Sequence, residues 1–190
     1  MNKYFLLFVV GYMFVTHADL TRSMDERINM NKLANQISSD FSKKMEKKFG
    51  FKLYGLGGGG DCDLNTFSLH FQCPMILDLC EARNLIIEIT QNFLDIVNSD
   101  KNIKPYLRVY PFTVNNLDFI IGFTIKNTYP IEGKIAFIGF NNGKINYATY
   151  DHEKKILKTI FRETYDEALN AVEQEKNTIP LKNTDPLNDR

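Results

Sequence analysis

Four consecutive glycines, Gly57 to Gly60, stand between Leu56 and Asp61. A strand that runs into a glycine loop is how a phosphate cradle begins, because backbone amides without side chains can close on an anion. The rest of that signature is missing. No Gly-Lys-Ser/Thr follows, and the next segment alternates like a strand where a helix N-terminus is needed. A flexible or tightly turned loop is the expected role, with Gly57, Gly58 and Gly59 kept as candidate ligand or interaction positions.

Cys62, His70, Cys73 and Cys80 bring four soft ligands into nineteen residues. Zinc takes such donors in tetrahedral sets. The spacing fits no zinc pattern, however, and His70 and Cys73 fall on opposite faces of a regular strand, so no metal site is expected. Three cysteines are an odd number. Cys73 and Cys80, across one turn, are the candidate disulfide; three unpaired thiols are the alternative. Cys80 opens a helix, where a thiol pKa falls, but no base stands near it in the sequence. His152 lies in the turn Tyr150-Asp151-His152-Glu153, and no G-x-S-x-G occurs. Asp61 and Asp63 lack the remainder of a calcium loop. No catalytic residue is assigned and no cofactor is implied.

Two further sets carry interaction chemistry. Arg83, in Glu81-Ala82-Arg83, could take a ligand carboxylate bidentately or form a structural ion pair. Tyr106, Tyr110 and Phe112, with Tyr147 and Tyr150, could make an adhesive aromatic patch or anchor the 101–113 loop to the core.

The elements that must position these residues are read from periodicity. Met30, Leu33, Ala34, Ile37, Phe41 and Met45 form one stripe of a helix over Asp25–Phe49, with Ser23 and Glu26 as its capping box and Gly50 as its stop. Lys43, Lys44, Lys47 and Lys48 suit the dipole at its end or form a solvated face. Phe51–Leu56 is a short strand, ended by the glycines. Leu64–Cys73 is the next, with Phe67, Leu69, Phe71 and Cys73 on one face and Thr66, Ser68, His70 and Gln72 on the other. Asp78 and Glu81 cap a second helix, which stops at Asn98-Ser99-Asp100. Four strands follow: Leu117–Ile125, Lys134–Phe140, Lys144–Tyr150 and Lys155–Arg162. Asn142-Gly143 makes the central hairpin turn, since both its central positions need positive φ. Phe41, Phe67, Phe71, Phe93, Phe119, Phe123 and Phe137 are assigned to core faces. Thr164 and Glu167 cap a short last helix that ends near Glu175. The fold class is α+β: a mostly antiparallel sheet of about six strands, with two main helices and a short C-terminal helix packed on one face.

Several segments in this order carry a resemblance. They are Tyr54-Gly55-Leu56-Gly57-Gly58-Gly59, Glu81-Ala82-Arg83, Asn98-Ser99, Pro105-Tyr106-Leu107, Pro111-Phe112-Thr113, Gly143-Lys144-Ile145-Asn146-Tyr147 and Glu163-Thr164-Tyr165-Asp166-Glu167-Ala168. Together they resemble a family of small uncharacterised exported proteins from obligately intracellular bacteria of the chlamydial type. The likeness covers about residues 30 to 172. It implies a bacterial exported protein and carries no activity across. Glu81, Arg83, Tyr106 and Tyr165 lie in the matching motifs and join the glycines as candidate site residues.

The leader agrees with export. Lys3 gives a positive start, Tyr4–Val15 is apolar, and Thr16-His17-Ala18 places small residues at the −3 and −1 positions before Asp19. Twelve apolar residues are too few for a spanning helix, which needs about 20. No cysteine follows as a lipoprotein acceptor. The expected layout is a signal peptide over 1–18, one domain over 19–175 and a C-terminal tail over 176–190. The 190 residues hold 23 Lys+Arg and 23 Asp+Glu. Removal of Lys3 tips the balance acidic, which argues against a nucleic-acid partner. The function expected is a non-enzymatic interaction module of the periplasm, outer envelope or secreted fraction, binding an unknown protein or small ligand. The alternative is a small envelope hydrolase with its site near residues 54–63, Cys80 and Arg83.

Overall fold

The computed structural model describes residues 24–60, 63–126 and 128–177, and carries helical backbone on to Lys3 at one end and Thr178 at the other. The expected leader, Asp61, Cys62 and most of the expected tail lie outside the described residues.

Helix α1 spans Lys3–Phe49. The Ser23–Glu26 pattern therefore does not mark its start. No proline interrupts the sequence from Lys3 to Phe49, so nothing forces the backbone out of the helix at Ser23. Met30, Ile37, Phe41 and Met45 are buried, as the stripe requires. Gly50, at φ +73°, stops the helix, and its amide returns to the Glu46 carbonyl at 2.8 Å.

Strand β1 (Lys52–Gly59) corrects the expectation of a glycine loop. Gly57, Gly58 and Gly59 stay in the strand and pair with Ser68, Phe67 and Thr66 of β2 (Thr66–Cys73). Close approach explains the glycines. A Cβ on Gly58 would stand 3.0 Å from the Thr66 carbonyl oxygen, and one on Gly55 would stand 3.0 Å from His70 Nδ1.

Helix α2 (Leu79–Ser99) starts on a complete capping box. The Asp78 side chain accepts from the Glu81 amide, and the Glu81 side chain accepts from the Asp78 amide, both at 2.9 Å. It carries the chain from β2 to β3 (Leu117–Phe123), which lies parallel to β2. That crossover gives the one parallel pair in a sheet of order β1-β2-β3-β4-β5-β6; the other pairs are antiparallel. Strands β4 (Ile135–Asn141) and β5 (Lys144–Asp151) join through Asn142 and Gly143, at φ +48° and +68°. Strand β6 (Ile156–Thr164) closes the sheet, and the Thr164–Glu167 box opens α3 (Tyr165–Thr178).

The core is largely aromatic. Phe93 of α2 meets Phe41 of α1 at 4.8 Å, Phe67 of β2 at 5.1 Å and Phe119 of β3 at 5.5 Å, all edge to face. Phe119 touches Phe140 of β4, which touches Tyr165 of α3. Phe137 is the exception among the rings assigned to the core. The bulge between Ile135 and Phe137 buries both Ile135 and Ala136, then turns Phe137 to the other sheet face, where it is half-buried over Gly139.

This difference is measurable. Phe93→Ala is expected to cost about 3–5 kcal/mol in chemical denaturation. Phe137→Ala is expected to cost less than half as much, because only a half-exposed ring is removed.

Candidate functional site

The residues singled out in the sequence fall into two groups. Gly57, Gly58 and Gly59 line a narrow slot of about 70 Å³ between β1 and α1, with Asn31, Asn35 and Ser38 across from them. Ser38 Oγ is fully buried and has no hydrogen-bond partner among the described residues. Backbone amides, two carboxamides and a hydroxyl can hold a water or a small neutral polar group. Among the described residues no cation lines the slot, so the arrangement does not suit a phosphate. Tyr106 lies nearby as an anchor. Its hydroxyl accepts from Asn29 Nδ2 at 2.8 Å, and its carbonyl accepts from the Leu64 amide at 2.7 Å. That fastens the 101–113 loop to α1 and to the start of β2. Asp63 is engaged by Arg108, whose Nη2 stands 2.8 Å from its carboxylate and holds the pKa down.

The second group gathers on the far side of the sheet. Arg83 Nε donates to both oxygens of Glu163 on β6, at 2.9 and 3.2 Å. The Arg83 side chain is 13% exposed and that of Glu163 5%, so this is a buried pair. The guanidinium also lies over the Phe161 ring at 5.6 Å and reaches Glu175 at 3.9 Å. The Glu163 hydrogen bond holds the Arg83 pKa up. Tyr147 comes in from β5, fully buried, with a hydroxyl that makes no hydrogen bond of standard geometry. Burial, and then the Glu163 carboxylate, push its phenol pKa up.

The remaining candidates are structural. Glu81 is spent in the α2 capping box. Tyr165 is buried against Phe140, and its amide donates to the Gly143 carbonyl at 2.8 Å. The two groups stand at opposite edges of a six-stranded sheet, one on β1 and one against β6. At about 4.8 Å per strand spacing, the edges are about 24 Å apart. The glycines, Cys80 and Arg83 therefore do not share one substrate position.

The Cys73–Cys80 disulfide does not form. Cys73 points into the core, with Sγ 3.7 Å from the Phe49 carbonyl, and burial pushes its thiol up to about 12. Cys80 sits exposed on the first turn of α2 and donates to Glu175 Oε2 at 3.0 Å. Strand alternation sends one thiol inward, while the turn at Pro74–Asp78 carries the other to the surface. The helix start does not activate Cys80. The Glu175 hydrogen bond, followed by burial and the charges of Glu175 and Asp78, raises its pKa against a smaller opposing effect of Arg83.

One grouping escaped the sequence reading. Ser68 Oγ donates to Asp118 Oδ2 at 2.8 Å and stands 3.3 Å from His70 Nε2. Ser68 and His70 share a strand face by alternation, which is legible in the sequence; Asp118 comes from the neighbouring strand, which is not. The order differs from a nucleophilic triad, where histidine stands between serine and carboxylate. Here the serine proton is directed at the carboxylate, and the far side of His70 rests on Gly55.

Alkylation of the thiols tests the second group. Cys80 is expected to react in the native protein and Cys73 only after unfolding, by peptide mapping. The pH midpoint for Cys80 should exceed that of an ordinary thiol. Glu175→Gln removes the negative charge and offers the thiol only a weaker, neutral acceptor, so it should lower that midpoint and speed alkylation at neutral pH. No family model, no curated protein and no solved structure matches the chain.

Proposed function

We propose that this chain is an exported bacterial interaction module, not an enzyme, and that it holds an extended acidic segment of a partner polypeptide along β6. The reading includes an arrangement in which the three helices cover one face of the sheet. Ring contacts from α1, α2 and α3 to inward residues of β2, β3 and β4 support it.

The observation that carries the proposal is the state of β6. Among the described residues its only strand neighbour is β5, and residues 156–162 are all exposed. Ile160 and Phe161 are 46% and 39% exposed. A long edge strand with apolar side chains is a template for one more strand, and β6 keeps a continuous exposed run through the bulge at Ile160. Lys158 and Arg162 flank the exposed stretch, while its acid, Glu163, is committed to Arg83. An acidic partner strand therefore fits. A second copy of this chain fits less well: antiparallel pairing centred on Ile160 would set Lys158 against Arg162 twice.

The separation of the glycine strand from Cys80 and Arg83 favours this reading over the hydrolase. The leader pattern supports export to the periplasm, the outer envelope or the medium. Among the described residues no helix is long and apolar enough to cross a membrane.

Two measurements test the proposal. Residues 1–18 fused to a phosphatase that works only outside the cytoplasm should give activity; retention of an inactive fusion would refute export. Nine-residue β-forming peptides with glutamate at alternate positions should bind the full chain, by fluorescence anisotropy. Lysine versions should bind at least tenfold more weakly. Ile160→Glu should weaken the acidic peptides, and backbone N-methylation of the peptide should abolish binding. Equal binding of acidic and basic peptides, or survival of binding after N-methylation, overturns the edge-strand reading.

A further inference from the structure

One end of the sheet collects exposed aliphatic groups and lysines, most of which the β6 proposal does not use. The 124–134 turn leaves β3 there and the 152–155 turn joins β5 to β6, because Ile135 pairs with Thr149 and Asp151 with Ile156. The Pro74–Asp78 turn reaches the same end. The Ile135 amide donates to the Leu77 carbonyl at 2.8 Å, and the Thr124 amide donates to the Cys73 carbonyl at 3.0 Å.

The turns are fastened to one another. Tyr129 stacks on Tyr150 at 4.2 Å, and His152 Nε2 lies 2.8 Å from the Pro130 carbonyl oxygen. Their apolar groups nevertheless face outward. Ile131 is 70% exposed, Ile156 52% and Ile76 48%. Such side chains at separate turn tips do not make a packed groove. They form a set of short aliphatic projections held at fixed positions.

Lysines surround the projections: Lys52, Lys126, Lys134 and Lys155, with Lys154 paired to Asp151 at 3.8 Å and Lys158 at the start of the β6 edge. The acids in these turns are fewer, namely Glu132, Asp151 and Glu153, with Asp78 spent on the α2 cap. Asp151 stays within its own hairpin, accepting from the Lys154 amide at 2.8 Å with the Lys154 ammonium 3.8 Å away. Two of the lysines hold a backbone conformation that suits glycine or asparagine better. Lys126 is at φ +49° and Lys155 at φ +55°. A lysine kept at a strained turn position directs attention to what its charge meets. Beside Lys126, a cleft of about 220 Å³ opens toward Lys52, floored by Gln72 and Thr124. Two ammonium groups, a carboxamide and a hydroxyl are donors that suit a phosphate diester.

From these observations we infer that this end of the domain docks on a membrane surface rich in anionic phospholipid. Ile76, Ile131 and Ile156 enter the boundary between headgroups and acyl chains. The stacked Tyr129 and Tyr150 lie at headgroup level, and the lysines meet lipid phosphates. A soluble protein partner would call for a continuous complementary core, whereas scattered aliphatic tips within a lysine ring match a deformable surface. The inference rests on the turns and stands apart from the β6 edge, with which it shares only Ile156 and Lys158.

The test reads the docking surface itself in the full chain. Ile131→Cys, in a background with Cys62→Ser and Cys80→Ser, carries an environment-sensitive fluorophore. Vesicles with about a third phosphatidylglycerol should shift its emission to the blue, and pure phosphatidylcholine should not. Lys126→Glu with Lys155→Glu should weaken partitioning at least tenfold, from about fivefold per lysine. Glu132→Lys should strengthen it, a gain that misfolding cannot produce. Ile160→Glu, which should weaken acidic peptides at β6, should leave the fluorophore shift in place, which separates this surface from the β6 edge. An equal response to phosphatidylcholine, an unshifted fluorophore on a vesicle-bound chain, or the same shift with soluble glycerol phosphate overturns the inference.

Discussion

The contact of Phe93 with three other rings is the constraint on which the rest of the structure depends. Phe41, Phe67 and Phe119 come from α1, β2 and β3, and α2 supplies the ring between them. Helix α2 also connects β2 to β3, so a single side chain fixes the crossover and the parallel pair beneath it. The chain of rings continues through Phe140 to Tyr165 and so reaches the last helix. With no tryptophan, the protein relies on phenylalanine for large apolar area, and most of its 15 phenylalanines serve this purpose.

On the other face of the sheet, small residues make room for polar ones. Gly55 lies beneath His70 and Gly57 beside Ser68, so the polar group of Ser68, His70 and Asp118 rests on a glycine floor. The glycine strand thus serves two faces at once. It brings its backbone close to α1 on one side and supports polar side chains on the other. Neither task requires the glycines to bend.

Much of the fold was legible wherever its determinants are local. The Asp78–Glu81 and Thr164–Glu167 boxes and the Asn142-Gly143 turn lie within four residues each, and the alternation of β2 and β3 follows from their own side chains. The illegible parts depend on distant partners. Gly57–Gly59 form a strand because β2 pairs with them, which no property of glycine announces. Phe137 faces outward because one bulge resets the alternation of β4. Of the candidate site residues, Arg83 reads as an ion-pair former, but Glu163 does not read as its partner, because nothing in the sequence places β6 over the start of α2. The Ser68–Asp118 bond needed knowledge that β2 and β3 are neighbours.

The single parallel pair also sets an order on how the chain can fold. Every antiparallel pair joins strands separated by a short stretch of chain, and each can form early from local contacts. The β2–β3 pair must close a much longer loop: Ser68 and Asp118, which bond across it, are 50 residues apart. Loop closure is unfavourable until the contacts it makes repay the lost chain entropy. Here those contacts belong to α2, lying inside the very loop being closed. Closing that loop is therefore the costliest closure in chain entropy that the sheet requires, and it is offset by the packing of Phe93 of α2 on both Phe67 of β2 and Phe119 of β3.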